Sequence, residues 1–141
     1  MGTRSRIGYR DPETDKIVSV YCHWDGYPSY NGKILLDNYN TLDKVKDLVS
    51  GGDMSSLGPR CDLPEGHSFE KPVDGYTVYY GRDHGEKNVG PIVSKSMEEF
   101  DDIHSDQEWE YMFIDRWLYR KFGDSKWYTL TVPSNLDILK C

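Results

Sequence analysis

Thr3 to Tyr9 and Ile17 to Trp24 have the short apolar spacing and residue types of strands. Between them, the proline and acidic residues of Asp11-Pro12-Glu13-Thr14-Asp15 suit a turn, so the chain is predicted to open with a β-hairpin. From about Ser29 the apolar spacing becomes helical. Ile34, Leu35 and Tyr39 share one face; Leu42, Val45, Leu48 and Val49 repeat the pattern behind Thr41, a predicted N-cap, and Gly51-Gly52 ends it. Leu57 to Gly75 mixes Gly, Pro and polar residues without a period, which predicts a long surface connection.

Tyr76 to Tyr80 reads as a short strand, followed by a charged loop, Gly81-Arg82-Asp83-His84-Gly85-Glu86. Ser96-Met97-Glu98-Glu99 has the form of a capping box, with Met97, Phe100 and Ile103 on one helical face. Glu108 to Ile114, Trp117 to Phe122 and Lys126 to Val132 are aromatic-rich strands, the last two joined by a hairpin turn at Gly123-Asp124-Ser125. Strands first, helices in the middle and strands last predict an α+β domain. Its sheet is mostly antiparallel, an N-terminal hairpin plus a C-terminal meander, with two to three helices packed on one face. At 141 residues the whole chain, 1–141, is expected to form a single domain.

Charge narrows the partners. A formal net charge of −7 argues against an open nucleic-acid surface, which needs clustered Lys and Arg, and favours a basic partner. The odd set Cys22, Cys61 and Cys141 contains no CxxC pair and fits a reducing compartment. No apolar run approaches the roughly 20 residues of a membrane helix, and no signal-peptide core opens the chain. Met1-Gly2 invites a myristoylation reading, but Arg6 stands where that motif needs Ser or Thr. A soluble protein inside a cell is expected.

Two clusters are candidate sites. In Tyr21-Cys22-His23-Trp24-Asp25-Gly26-Tyr27-Pro28 a strand runs into reactive and aromatic side chains. If the strand continues, His23 and Asp25 share a face, as a base with its orienting carboxylate or as a polar grip on a ligand. The competing reading makes Asp25-Gly26 a turn and His23 a backbone partner. Cys22 and His23, adjacent on a strand, point to opposite faces, which argues against a direct thiol couple. Arg82, Asp83 and Glu86, with His84, form either a charged rim facing this cluster or a solvated loop. Arg4 and Arg6 share a strand face that hairpin pairing brings near His23 or Asp25, unless they face solvent.

The acidic run Glu98, Glu99, Asp101, Asp102, Asp106, Glu108 and Glu110 reads as a phosphate-mimicking surface or as a solvated face. The four histidines lack zinc spacing, and neither GxxxxGK[ST] nor GxSxG occurs, so no metal and no cofactor are expected.

Thr3-Arg4-Ser5-Arg6-Ile7-Gly8, the Tyr21 to Pro28 run, Asn31-Gly32, Leu35-Leu36 and Tyr39 together resemble a family of small tailed-bacteriophage proteins without an assigned activity. Ser55-Ser56-Leu57-Gly58 and Tyr80-Gly81-Arg82-Asp83-His84-Gly85-Glu86 resemble the same family's second half, departing from it at His84, where it often has Arg. The resemblance implies a phage accessory protein in the host cytoplasm.

The leading expectation is action by binding, in counter-defence or host takeover, on a nucleotide-like small molecule or a host protein. Trp24, Tyr27 or Tyr30 would stack on a base while Arg4, Arg6 or Arg82 meets phosphate. The alternatives are a small hydrolase or nucleotide-modifying enzyme using His23 and Asp25, and an acidic nucleic-acid mimic. Aromatic residues on an edge strand or sheet face also permit a homodimer.

Overall fold

The structure, a computed structural model, describes residues 3–131. β1 (Ser5–Arg10) and β2 (Ile17–Cys22) form the expected hairpin, with Ser5 opposite Cys22 and Arg10 opposite Ile17. The Asp11 carboxylate accepts from the Glu13 N–H at 2.9 Å, and Asp15 takes a left-handed φ of 62° that its short polar side chain tolerates. A π-helical turn over Pro28–Gly32 then leads into α1 (Lys33–Asn38). Thr41 caps α2 (Leu42–Ser50) by accepting the Lys44 N–H, as its position predicts. At the end of α2, the Tyr79 ring lies so close that a Cβ on Gly51 would sit 2.3 Å from it.

Two short strands have no clear mark in the sequence. β3 (Met54–Ser56) pairs parallel with the end of β2 and antiparallel with β4 (Val78–Tyr79). β5 (Ile92–Ser94) pairs antiparallel with the start of β2. With two or three residues each, they show no period; the edge of β2 provides their hydrogen bonds. The long connection after β3 runs as expected, tied across itself where the Thr77 N–H donates to the Arg60 carbonyl at 2.7 Å and the Arg60 N–H to the Gly75 carbonyl at 3.1 Å.

Ser96 caps α3 (Met97–Asp101) by accepting the Glu99 N–H, and the Glu99 carboxylate accepts from the Lys95 N–H, one residue beyond the usual reciprocal bond. β6 (Trp109–Ile114), β7 (Arg116–Lys121) and β8 (Tyr128–Thr129) make the predicted antiparallel meander. Val132, the predicted end of its last strand, lies outside the described residues. The meander does not stand apart from the hairpin: β6 pairs in parallel with β1, Ser5 opposite Trp109 and Ile7 opposite Tyr111. The path through the sheet is therefore β4-β3-β2-β1-β6-β7-β8, with β5 on β2 and β1 near the middle.

Strand alternation divides the core. On one face Ile7, Val20, Tyr111 and Trp117 pack with Leu35 of α1 and Val45 and Leu48 of α2. On the other, Phe100 of α3 covers Ile17 and Met112. Two helices thus share one face, and the third packs on the reverse. That reverse face also buries charge. Arg120 donates to Glu110 at 2.7 Å and to Asp101, and its guanidinium lies 4.1 Å above the Trp127 ring. Arg6, 1% exposed, donates to the Ser19 hydroxyl at 2.8 Å and to Ser105 at 3.3 Å.

Gly26 is held by a close approach of backbone to backbone. Gly26 donates to the Thr3 carbonyl at 2.7 Å, its carbonyl accepts the Tyr111 hydroxyl at 2.5 Å, and a Cβ there would lie 2.8 Å from both Thr3 O and Ser5 Cβ. Gly26→Ala should therefore cost about 2 kcal/mol in urea denaturation. Gly90→Ala, where a Cβ meets nothing within 4 Å, should be nearly neutral; equal losses would contradict the close approach at Gly26.

Candidate ligand-binding site

The segment after β2 remains held by β3. The His23 N–H donates to the Met54 carbonyl at 3.1 Å and the Trp24 N–H to the Ser55 carbonyl at 3.0 Å. Asp25 then reverses the chain with a left-handed φ of 58°. Its carbonyl accepts the Asn31 N–H at 3.2 Å, and the buried Asn31 amide donates to the Trp24 carbonyl at 3.1 Å. The turn from His23 to Asn31 is thus fixed from beneath by backbone and buried amide bonds. The Cys22 thiol is fully buried and its pKa is pushed up to about 12, mainly by desolvation, so it stays protonated and is no nucleophile.

His23 and Asp25 do not couple, because the left-handed residue ends the strand alternation that would put them on one face. The imidazole Nδ1 lies 2.7 Å from the Tyr21 hydroxyl, while the Asp25 carboxylate accepts from Tyr27 at 3.4 Å. Burial raises the Tyr21 pKa, with Arg4 opposing, so the phenol stays protonated at neutral pH and donates to Nδ1. The ring proton then sits on Nε2, which has no protein partner among the described residues. Burial, and after it the Arg4 charge, lower the pKa of His23, so the imidazole is neutral at pH 7.

Arg4 precedes the Ser5–Cys22 pair, which sets it beside His23 across the hairpin. Its carbonyl accepts the Glu108 N–H at 2.8 Å, and no salt bridge involves its guanidinium among the described residues. Along the turn that follows, Trp24, Tyr27 and Tyr30 are 43%, 38% and 44% exposed. Trp24 stands edge-on to His23 at 4.7 Å, and the Tyr27 and Tyr30 rings lie 6.2 Å apart.

The other candidates have internal partners. Arg6 is buried beneath the sheet's reverse face and does not face solvent. Arg82 grips Asp83 through two hydrogen bonds, of 2.7 and 3.1 Å, and donates to the carbonyls of Cys61 and Thr77. Asp83, its side chain 1% exposed, also accepts the Tyr79 N–H at 2.8 Å and lies 3.2 Å from Nε2 of His67. His67 accepts the Val73 N–H on Nδ1, which leaves the Nε2 proton for Asp83. This node ties the long connection to β4. The sequence reading missed His67, which sits in an aperiodic stretch with no local signal for a partner sixteen residues away. Glu86 pairs with His84 at 2.7 Å, and His84 stacks on Phe69 at 4.0 Å.

The acidic run is likewise divided. Glu110 is buried against Arg120 and Gln107, Asp101 meets Arg120, and Glu99 accepts from the backbone at the start of α3, whereas Glu98, Asp102, Asp106 and Glu108 are exposed. Among the described residues no group of three or more His, Cys, Asp or Glu side chains could hold a metal ion, and no helix is long and apolar enough to cross a membrane. No protein-family model, curated protein or solved structure matches the chain.

Two titrations test this geometry. Arg4→Gln should raise the His23 pKa, read by NMR, part of the way toward about 6.5 because burial persists; an unmoved pKa would separate the two side chains. At Asp83, burial works to raise the pKa, but the bonds from Arg82 and the Tyr79 N–H outweigh it and hold it below the ordinary carboxylate range. Its stabilising contribution is then complete above the unfolded value of about 3.9 and is lost as pH falls through the folded value. Asp83→Asn should lower stability at pH 7 by about 3 kcal/mol and flatten the decline below about pH 4, both measurable by urea denaturation.

Proposed function

We propose that this chain acts by binding rather than by catalysis, and that its recognition surface is the aromatic turn from His23 to Tyr30 together with Arg4. One observation carries the reading: three large aromatic side chains project from a turn whose backbone is hydrogen-bonded from below, and His23 at its start adjoins Arg4, a cation without an ionic partner among the described residues. Rigid display of this kind lowers the ordering cost of binding.

The ligand that suits the surface is a nucleotide-like anion. Its base would stack on Trp24, its phosphate would meet Arg4, and the Nε2 proton of His23 would add a neutral donor. A chain of net charge −7 can hold such an anion only where a local cation outweighs the overall field, which makes Arg4 the limiting residue. The resemblance of the Thr3 to Gly8 and Tyr21 to Pro28 motifs to small tailed-phage proteins supplies the setting, an accessory protein that sequesters a small molecule in the infected host cytoplasm.

A panel of purine mono-, di- and cyclic nucleotides, titrated while the Trp24 indole N–H is followed by NMR, tests the proposal. At least one should shift that resonance, and Trp24→Ala combined with Arg4→Gln should abolish binding while circular dichroism stays unchanged. Undiminished binding by the folded double variant, or no response to any nucleotide at millimolar concentration, would overturn it.

A further inference from the structure

Adjoining the proposed nucleotide surface at Tyr27 and Arg4, but not including Trp24, the exposed end of β7 is wrapped by three adjoining clefts. Phe122 forms a wall of each. The first, about 460 Å³, runs past His104 toward Arg120 and Asp124. The second, also about 460 Å³, is bounded by Tyr27, Glu108, Trp109 and Lys121. The third, about 440 Å³, joins them through His104 and Gln107, and includes Asp106 and Arg4. Each has the size of a small-ligand pocket, yet the three share a single aromatic ridge. That shape suits an occupant that presents successive side chains better than one compact molecule.

The ridge is held firmly. Phe122 is 40% exposed, its N–H donates to the Glu108 carbonyl at 2.8 Å, and His104 meets its ring edge-on at 5.4 Å. Nearby, the Lys121 ammonium lies 5.9 Å from the centre of the Trp109 ring, leaving a second apolar wall. Charge then selects the partner. Five carboxylates line the clefts against three cations; with Arg120 bound internally to Glu110 and Asp101, Asp106, Glu108 and Asp124 remain against Arg4 and Lys121. Asp106 and Glu108, two acidic residues with no part in the proposed nucleotide site, are exposed here on either side of Gln107.

We infer that the clefts around Phe122 form a docking groove for an extended peptide segment of a partner protein, in which an apolar or aromatic side chain flanked by Lys or Arg packs on Phe122 while its cations meet Asp106, Glu108 and Asp124. The complementarity is both apolar and electrostatic. A nucleic-acid strand does not suit the groove, since its phosphates would face the carboxylates.

The probes are two tripeptides with blocked ends, lysyl-phenylalanyl-lysine and glutamyl-phenylalanyl-glutamate, titrated into the whole chain and followed by amide NMR. The lysine peptide should shift the amides of Gln107, Phe122, Gly123 and Ser125, with binding weakened at least roughly tenfold by Phe122→Ala and by Asp106→Asn combined with Glu108→Gln. Binding should also fall with added salt. These side chains are exposed, so all variants should keep the wild-type circular dichroism. No shift at millimolar lysine peptide, equal binding of the glutamate peptide, or shifts confined to other surfaces would each overturn the groove. Loss of nucleotide binding in Trp24→Ala would leave this result unaffected, which keeps the two proposals separable.

Discussion

The parallel ladder between β1 and β6 is the constraint on which the rest of this structure depends. It joins the first strand to one that begins at Trp109, so the hairpin and the meander become one sheet instead of two small ones. A two-stranded hairpin alone is marginal in water, and closing so long a loop carries an entropic cost that only shared burial can offset. Ile7 opposite Tyr111 supplies part of that burial, both side chains being fully enclosed beneath α1 and α2. The same register carries the Tyr111 hydroxyl under the Gly26 carbonyl and sets Arg6 opposite Glu110, so one pairing fixes both the aromatic turn and the charged reverse face.

Buried charge is placed where distant segments must meet. Arg120, Glu110 and Asp101 lock α3 to the meander, and Arg82, Asp83 and His67 lock the long connection to β4. Such sets contribute modestly when complete, because desolvation cancels much of the attraction, and cost several kcal/mol when one partner is removed. Their effect is specificity of assembly. Arg82 holds Asp83 beside it while donating to the Cys61 and Thr77 carbonyls, one near the start of the connection and one at its end, so the connection has few other ways to lie.

Availability of charge separates a site from scaffolding in this molecule. Arg4, Arg6 and Arg82 are chemically alike, yet Arg6 is enclosed by serines and Arg82 by a carboxylate and carbonyls, whereas Arg4, beside His23, forms no salt bridge among the described residues. The neutral imidazole of His23 follows from the same neighbourhood, since burial and the adjacent guanidinium both disfavour its protonated form. A neutral donor next to a fixed cation is suited to holding an anion, and it differs from the oriented base that a His–Asp couple would form.

Locally encoded features were legible in the residues. The hairpin turn at Asp11 to Asp15, the Thr41 and Ser96 caps, the Gly51 stop and the meander turn at Gly123 rest on the chemistry of a few neighbouring residues, which tertiary contacts did not override. The aromatic turn could also be located, because Trp24, Tyr27 and Tyr30 are too dense and too close to a strand end to be missed. The parallel β1–β6 pairing, the borrowed strands β3 and β5, the placement of α3 on the reverse face and the partners of Arg6, Arg82 and Asp83 were decided only in three dimensions. A side chain's type fixes what it is able to bond. Which groups reach it depends on contacts between segments far apart in the chain, and a period of two or of 3.6 residues does not encode those contacts.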